Sequence, residues 1–239
     1  ADQPMANPKV YPLKYAEQIV KDRKGKILEA GCGAGRILRY YHNHGMDIVG
    51  IDFIEVAINK LKKIDAFLRV EVGDISSLRF ENESFKYILA FGLYHNLEYG
   101  LEQAIEETYR VLESGGSVCA SHRADNIQTR LTDWLSERRS SKDKDGSRAL
   151  EFHKMNLTCA EFKQVFENAG FNIENIEINY TQDYNLLNHL HWIMNDGPQE
   201  NCLVGMSEVS LAGKDNKMAE WLSTEMQALN KRYVEQLVL

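Results

Sequence analysis

From residue 26 to about residue 121, short apolar runs alternate with stretches whose hydrophobic positions recur at helical spacing. This alternation predicts parallel strands joined by crossover helices. Lys26–Ala30 is expected as the first strand, ending in the turn Gly31-Cys32-Gly33-Ala34-Gly35. Arg36 to His44 follows as a helix that Gly45 stops. Asp47–Asp52 is expected as the second strand, and Glu55–Lys63 as a helix with Val56, Ile58 and Leu61 on one face. Leu68–Val72 is expected as the third strand, closed by Gly73-Asp74. Phe85–Phe91 is a continuous apolar run, the mark of a central strand covered on both faces. Leu101–Leu112 is read as a helix, Ser114-Gly115-Gly116 as a turn and Ser117–Ser121 as the fifth strand.

The rhythm breaks over residues 122–157. Here the charged stretch from Glu137 to Gly146 is expected as a solvated loop. It resumes at Thr158, the expected N-cap of a helix Ala160–Ala169 that Gly170 ends. Phe171–Tyr180 alternates as a strand, Asn185–Met194 is read as a short helix and Asn201–Leu211 as the last strand. Lys217–Leu237 is an amphipathic helix carrying Met218, Trp221, Leu222, Met226, Leu229 and Tyr233. Its stripe suits core or subunit packing, so a homodimer is compatible with it. One domain is expected over residues 1–239.

Composition narrows the function. Of 239 residues, 44% are hydrophobic and 26% charged, the balance of a soluble globular protein. The formal net charge of −7 opposes a sequence-independent grip on nucleic acid, which needs clustered Lys and Arg. Cys32, Cys119, Cys159 and Cys202 form no CxxC pair, so neither a disulfide framework nor a zinc site is expected. No apolar stretch has membrane-spanning length, and no charged-then-apolar signal pattern opens the sequence. A cytoplasmic protein is therefore expected. Ala1 to Pro4 precede Met5 and are set aside from the fold.

The chemistry concentrates at Glu29-Ala30-Gly31-Cys32-Gly33-Ala34-Gly35. A glycine-rich turn between strand and helix lets backbone approach a ligand that a Cβ would exclude. A dinucleotide fingerprint would need glycine where Arg36 stands, and a phosphate loop would need Gly-Lys-Ser/Thr at Gly35-Arg36-Ile37. What remains, E-x-G-x-G-x-G, resembles the first motif of the class I, Rossmann-like S-adenosylmethionine-dependent methyltransferases, closest to their small-molecule subgroup. Three further features agree. Asp52 ends the second strand, where an acid can accept hydrogen bonds from ribose hydroxyls. Val72-Gly73-Asp74-Ile75 ends the third. Arg110-Val111-Leu112-Glu113-Ser114-Gly115-Gly116 resembles the family's turn before the fifth.

The resemblance covers about residues 10 to 180. It implies a doubly wound, mostly parallel seven-stranded α/β sheet with helices on both faces. The implied cofactor is S-adenosyl-L-methionine. Glu29, Gly31, Gly33 and Gly35 would lie on its methionine and ribose side, and Asp52 would hold the ribose beside Phe53. Asp74 and Ile75 would flank the adenine. Phe91 and Gly92 would lie by the methionine amino group, with Tyr11 and Tyr15 as aromatic lids. The 122–157 segment would fold over the acceptor. His122, Arg123, His153 and Tyr180 are the candidate substrate residues.

Methyl transfer is an in-line displacement, so positioning and exclusion of water supply much of the barrier reduction. An acceptor that must lose a proton also needs a base. Leu93-Tyr94-His95-Asn96 would face the acceptor in this fold. His95 is the candidate base, with its ordinary pKa of roughly 6.5, and Tyr94 a candidate for orienting the acceptor. No Asn/Asp-Pro-Pro-Tyr, which grips planar amino groups in nucleobase and glutamine methylation, follows the fourth strand. No carboxylate ends that strand either, so a catalytic metal is not expected. The expected function is methylation of an O or N atom of a small metabolite. The alternatives are a protein or RNA methyltransferase and a non-catalytic, cofactor-binding regulator. A wide, basic acceptor mouth would mark a macromolecular substrate, and a closed aromatic one a small molecule.

Overall fold

A computed structural model describes residues 7–21, 23–125, 129–130 and 154–177. The expected elements from 180 onward, the tip of the 122–157 segment, His153 and Tyr180 lie outside the described residues. The chain divides into two compact units. The larger contains, among the described residues, 7–21, 23–123, 154–155 and 163–173.

Its strands among the described residues are β1 (Ile27–Ala30), β2 (Ile48–Asp52), β3 (Val70–Val72), β4 (Phe85–Ala90) and β5 (Leu112–Ala120). They lie in the order β3-β2-β1-β4-β5, and every pairing is parallel. The helices are α1 (Leu13–Ile19), α2 (Arg36–Asn43), α3 (Glu55–Ile64), α4 (Leu101–Val111) and α5 (Cys159–Asn168). This is the Rossmann-like α/β architecture, with the chain reversing direction across the sheet between β1 and β4. In such sheets, ligands bind outside the carboxyl ends of the strands at that switch point.

Burial explains the order. Leu13 and Ala16 of α1, Ile37, Leu38 and Tyr41 of α2, and Ile58 and Leu61 of α3 share one cluster with Ile27, Ile48, Val70, Tyr87 and Leu89. Side chains alternate across a strand, so the equally buried Leu28, Ala30, Val49, Ile51, Ile88 and Ala90 serve the opposite face. A sheet covered on both sides needs the near-continuous apolar runs that the sequence shows.

Three boundaries differ from expectation. β3 starts at Val70 rather than Leu68, because Asp65 Oδ1 accepts from Phe67 N (2.8 Å) and its carbonyl from Leu68 N (3.3 Å), holding a turn there. The expected turn at Ser114-Gly115-Gly116 is an irregularity within β5, where the register against β4 shifts between Phe85 and Tyr87. Gly115 has φ +73°, and a Cβ on Gly116 would lie 2.8 Å from the Lys86 carbonyl, so both positions require glycine. Residues 171–177, the described part of the expected Phe171–Tyr180 strand, are not in a strand and pair with none among the described residues.

The smaller unit has few described residues. Thr158 Oγ1 accepts from Glu161 N (3.2 Å) while Glu161 Oε2 accepts from Thr158 N (2.8 Å), the reciprocal capping box of α5. Asp125 receives two hydrogen bonds from Arg130, at 2.6 and 2.5 Å. No helix among the described residues is long and apolar enough to cross a membrane.

Candidate functional site

The turn after β1 is built from backbone. Gly31 N and Cys32 N both donate to the Ile51 carbonyl at 2.9 Å, and Gly35 N donates to Cys32 O at 2.7 Å. Gly31, Gly33 and Gly35 take φ values of +72°, +50° and +71°, where a side chain is strained. Their surroundings differ. A Cβ on Gly35 would sit 2.5 Å from Leu61, and one on Gly31 would sit 3.1 Å from Leu93, so these two glycines permit close packing. A Cβ on Gly33 would meet nothing within 4 Å. Gly33 therefore presents bare backbone to open space.

Asp52, at the end of β2, stands at the rim of that opening. Its Oδ2 accepts from Gly33 N at 2.7 Å and its Oδ1 from Ile54 N at 2.9 Å. The carboxylate thus braces two turns with one lone pair on each oxygen and keeps acceptor capacity on both. Glu29 acts differently. It is buried, and its Oε2 accepts from Leu38 N at 2.7 Å. Leu38 N is among the first-turn N–H groups of α2 that lack a helical partner, and Gly35 has no side chain to cap them. Burial lifts the Glu29 carboxyl from 4.5 to about 8, against the lowering effect of the Leu38 bond and Arg36. At neutral pH the group is largely protonated.

Farther along the same edge, Asp74 Oδ1 accepts from the Ser76 amide (2.8 Å) and hydroxyl (2.7 Å). Ile75 is buried, whereas Phe53 is 77% exposed, an uncovered aromatic ring beside Asp52. Tyr11 meets Phe91 edge to face, with centroids 5.7 Å apart, and Tyr15 with centroids 6.3 Å apart. Ser121 links these groups, and the sequence reading did not single it out. Its Oγ accepts from Gly92 N (2.9 Å) and shares a hydrogen bond with Tyr11 OH (2.8 Å). Its position one residue past β5 was the available signal.

Past β4, Tyr94 and His95 fall on a single 3-10 turn, Tyr94–Asn96, and part company. Tyr94 is fully buried, bonded through its hydroxyl to Thr108 Oγ1 (2.8 Å) and packed edge to face on Phe166 at 5.6 Å. This corrects its candidacy for orienting an acceptor, because its polar end is satisfied inside the core. His95 is half-buried on the site side, its Cε1 3.8 Å from where a Gly92 Cβ would stand. Its Nδ1 is sealed from solvent with no hydrogen-bond partner among the described residues. Its carbonyl receives Met155 N at 2.8 Å, which ties residues 154–155 to this turn. Burial first, then Lys154, His122 and Arg123, lower the His95 pKa from 6.5 to about 4. The ring is neutral at neutral pH and a weaker base than an exposed histidine.

Arg110 of the fourth motif proves to be a brace. It donates to the carbonyls of Phe80 (2.8 Å) and Leu78 (3.0 Å) and pairs with Glu107 at 2.7 Å. The loop between β3 and β4 is thereby fastened to α4.

The family model described as a methyltransferase domain matches residues 28–120, from β1 to the end of β5. Over those residues the chain is thus similar to a methyltransferase domain. A probable S-adenosylmethionine-dependent methyltransferase of Mycolicibacterium smegmatis is 25% identical over 148 residues, 62% of this chain and 52% of its own. A malonyl-[acyl-carrier protein] O-methyltransferase of Enterobacter lignolyticus is 26% identical over 98 residues, 39% of this chain and 37% of its own. The chain thus spans about half the length, or less, of these curated relatives. Among solved structures, a SAM-dependent methyltransferase from Methanosarcina mazei shares the fold with a TM-score of 0.60. It is 20% identical, and the match covers 72% of this chain and 90% of that one. The cofactor of the methyltransferase domain family is S-adenosyl-L-methionine.

Proposed function

We propose that this chain transfers a methyl group from S-adenosyl-L-methionine to an oxygen or nitrogen atom of a small acceptor. The observation that carries the reading is the bare backbone of Gly33 facing open space, with the Asp52 carboxylate 2.7 Å from its amide. Such an opening admits a ligand against the main chain, and the remaining acceptor capacity of Asp52 suits a pair of sugar hydroxyls. In this reading Gly31, Gly33 and Gly35 back the methionine and ribose. Phe53, Asp74 and Ile75 surround the adenine, and Phe91 and Gly92 lie by the amino group. Tyr11 and Tyr15 cover the site, Tyr11 held by Ser121, and Glu29 acts through the first turn of α2. The malonyl-[acyl-carrier protein] O-methyltransferase among the relatives supports oxygen as the acceptor atom.

When bound, the cofactor supplies an electrophilic methyl group on a sulfonium. The protein's own contribution is to align the acceptor and keep water out, the main sources of acceleration in a displacement of this kind. His95, neutral in its half-buried setting, offers the acceptor a hydrogen-bonding nitrogen. Its strength as a base depends on the charges beside it.

Calorimetry with S-adenosylhomocysteine tests the reading directly. Low-micromolar binding is expected, weakened by about 1–3 kcal/mol in Asp52→Ala through lost charged hydrogen bonds. Absence of binding to the intact chain would remove the proposal.

A further inference from the structure

We propose that Thr108 and Phe166 are positioning residues of the acceptor side: acting through Tyr94, they fix the direction of the His95 imidazole and keep its proton on Nε2. The inference rests on the methyl-transfer reading above and deepens the role of His95 within it.

The turn that carries His95 is too short to set its own direction. Asn96 N bonds Leu93 O (2.9 Å) and Leu97 N bonds Tyr94 O (3.2 Å), a single 3-10 turn that is weak by itself. Successive residues in it point about 120° apart, so whatever orients Tyr94 also orients His95. Tyr94 is held from α4. Its hydroxyl lies 2.8 Å from Thr108 Oγ1, and Thr108 gives its one hydroxyl proton to the Ala104 carbonyl at 2.7 Å. The proton between the two side chains is therefore the tyrosine's, and Thr108 is its buried acceptor. Phe166 of α5 packs edge to face on the Tyr94 ring at 5.6 Å. It rests in turn on Phe171 (5.2 Å), and Phe171 on Tyr109 (5.1 Å), the residue after Thr108. The same helix thus holds Tyr94 both by a hydrogen bond and through a chain of aromatic rings.

With Tyr94 locked in the core, His95 emerges beside Gly92, its Cε1 3.8 Å from where a Cβ there would stand. Asn96 Nδ2 and Met155 N donate to the carbonyls of Gly92 (2.5 Å) and His95 (2.8 Å), fixing the backbone around it. In this pose Nδ1 is sealed from solvent with no partner among the described residues. A neutral imidazole carries one ring proton, and a buried N–H without an acceptor is the costlier way to leave a nitrogen unsatisfied. The proton therefore stays on Nε2, which gives a hydrogen bond to the acceptor rather than taking its proton. Loss of the Tyr94 anchor would admit water to Nδ1 and let the proton spread over both nitrogens.

The test is NMR of the histidine rings on the full chain, isotope-labelled at histidine and saturated with S-adenosylhomocysteine, with His95→Gln identifying the signals. The native ring is expected as the Nε2–H tautomer at neutral pH. Thr108→Val orphans the Tyr94 hydroxyl and should lower the ratio of Nε2–H to Nδ1–H about three-fold or more. The ring's pKa should rise from about 4 toward 6.5 as burial, the largest cause of its depression, is relieved. Lys154, His122 and Arg123, the charged groups that bear on the ring, are unchanged in this variant, so the rise reports burial. Thr108→Ser, which keeps the hydroxyl, should hold the native signature. Adding Tyr94→Phe to Thr108→Val removes the orphaned hydroxyl and should recover most of it. Phe166→Leu should act in the same direction as Thr108→Val and replaces it if that variant does not fold. A melting temperature that falls while the His95 signals stay native in both variants would mark a purely structural cluster and overturn the inference. A native ring found as Nδ1–H would overturn it too. Failure of S-adenosylhomocysteine to bind would instead remove the methyl-transfer reading, and the same signals on the ligand-free chain would then decide the anchor.

Discussion

Glu29→Gln isolates the energetic consequence of burying a carboxyl group under the first turn of α2. Glutamine keeps a carbonyl oxygen for Leu38 N but cannot ionise, so the hydrogen bond survives while the titration disappears. In the native chain the folded-state pKa is raised, from 4.5 to about 8, chiefly by desolvation. A raised folded pKa means that the folded state binds the proton more tightly than the unfolded chain. The associated stability is therefore full below about pH 4.5 and is lost as the pH climbs through 8. At about 1.4 kcal/mol per pH unit the ceiling is about 5 kcal/mol, and water entering around the new charge should return part of it. We expect a net change of about 2–4 kcal/mol. Urea unfolding at pH 5, 7 and 9 measures it. The difference between Glu29→Gln and the native chain should move by that amount in favour of glutamine between the first and last pH. Parallel profiles would refute the reasoning, because they would mean that Glu29 titrates alike in both states.

The glycine turn offers a paired comparison. Gly35→Ala should cost about 2–4 kcal/mol of stability, since its new methyl would collide with Leu61 at 2.5 Å on top of left-handed strain. Gly33→Ala should lose only the strain, about 1–2 kcal/mol, yet weaken S-adenosylhomocysteine about ten-fold or more by filling the opening. Thermal melts and calorimetry on both variants would expose the reverse pattern. Ser121→Ala removes the shared partner of Tyr11 OH and Gly92 N and should cost about 1–2 kcal/mol, with a matching loss of S-adenosylhomocysteine affinity if Tyr11 covers the site. Arg110→Leu frees the carbonyls of Leu78 and Phe80, so amide exchange of residues 78–84 should accelerate while exchange in β1 is unchanged.

Where both faces of a strand are buried, its apolar run is legible along the chain, and β1, β2 and β4 fall within a residue or so of their expected bounds. The same burial hides what an individual polar residue in the run does. All four residues of β1 are buried, so no alternation reveals that Glu29 is packed inward and spent on Leu38 N. Local polar chemistry moved the other boundaries: the Asp65 turn delays β3, and two glycines let β5 buckle rather than turn. Tyr94 and His95 show a further limit. Successive residues of a 3-10 turn point about 120° apart, so two neighbours that a motif places in one pocket can face core and site respectively. The glycine motif and Asp52 were readable because their spacing is set by strand ends. Ser121 and the brace of Arg110 were not, because the partners that define these roles lie 29 to 110 residues away in sequence.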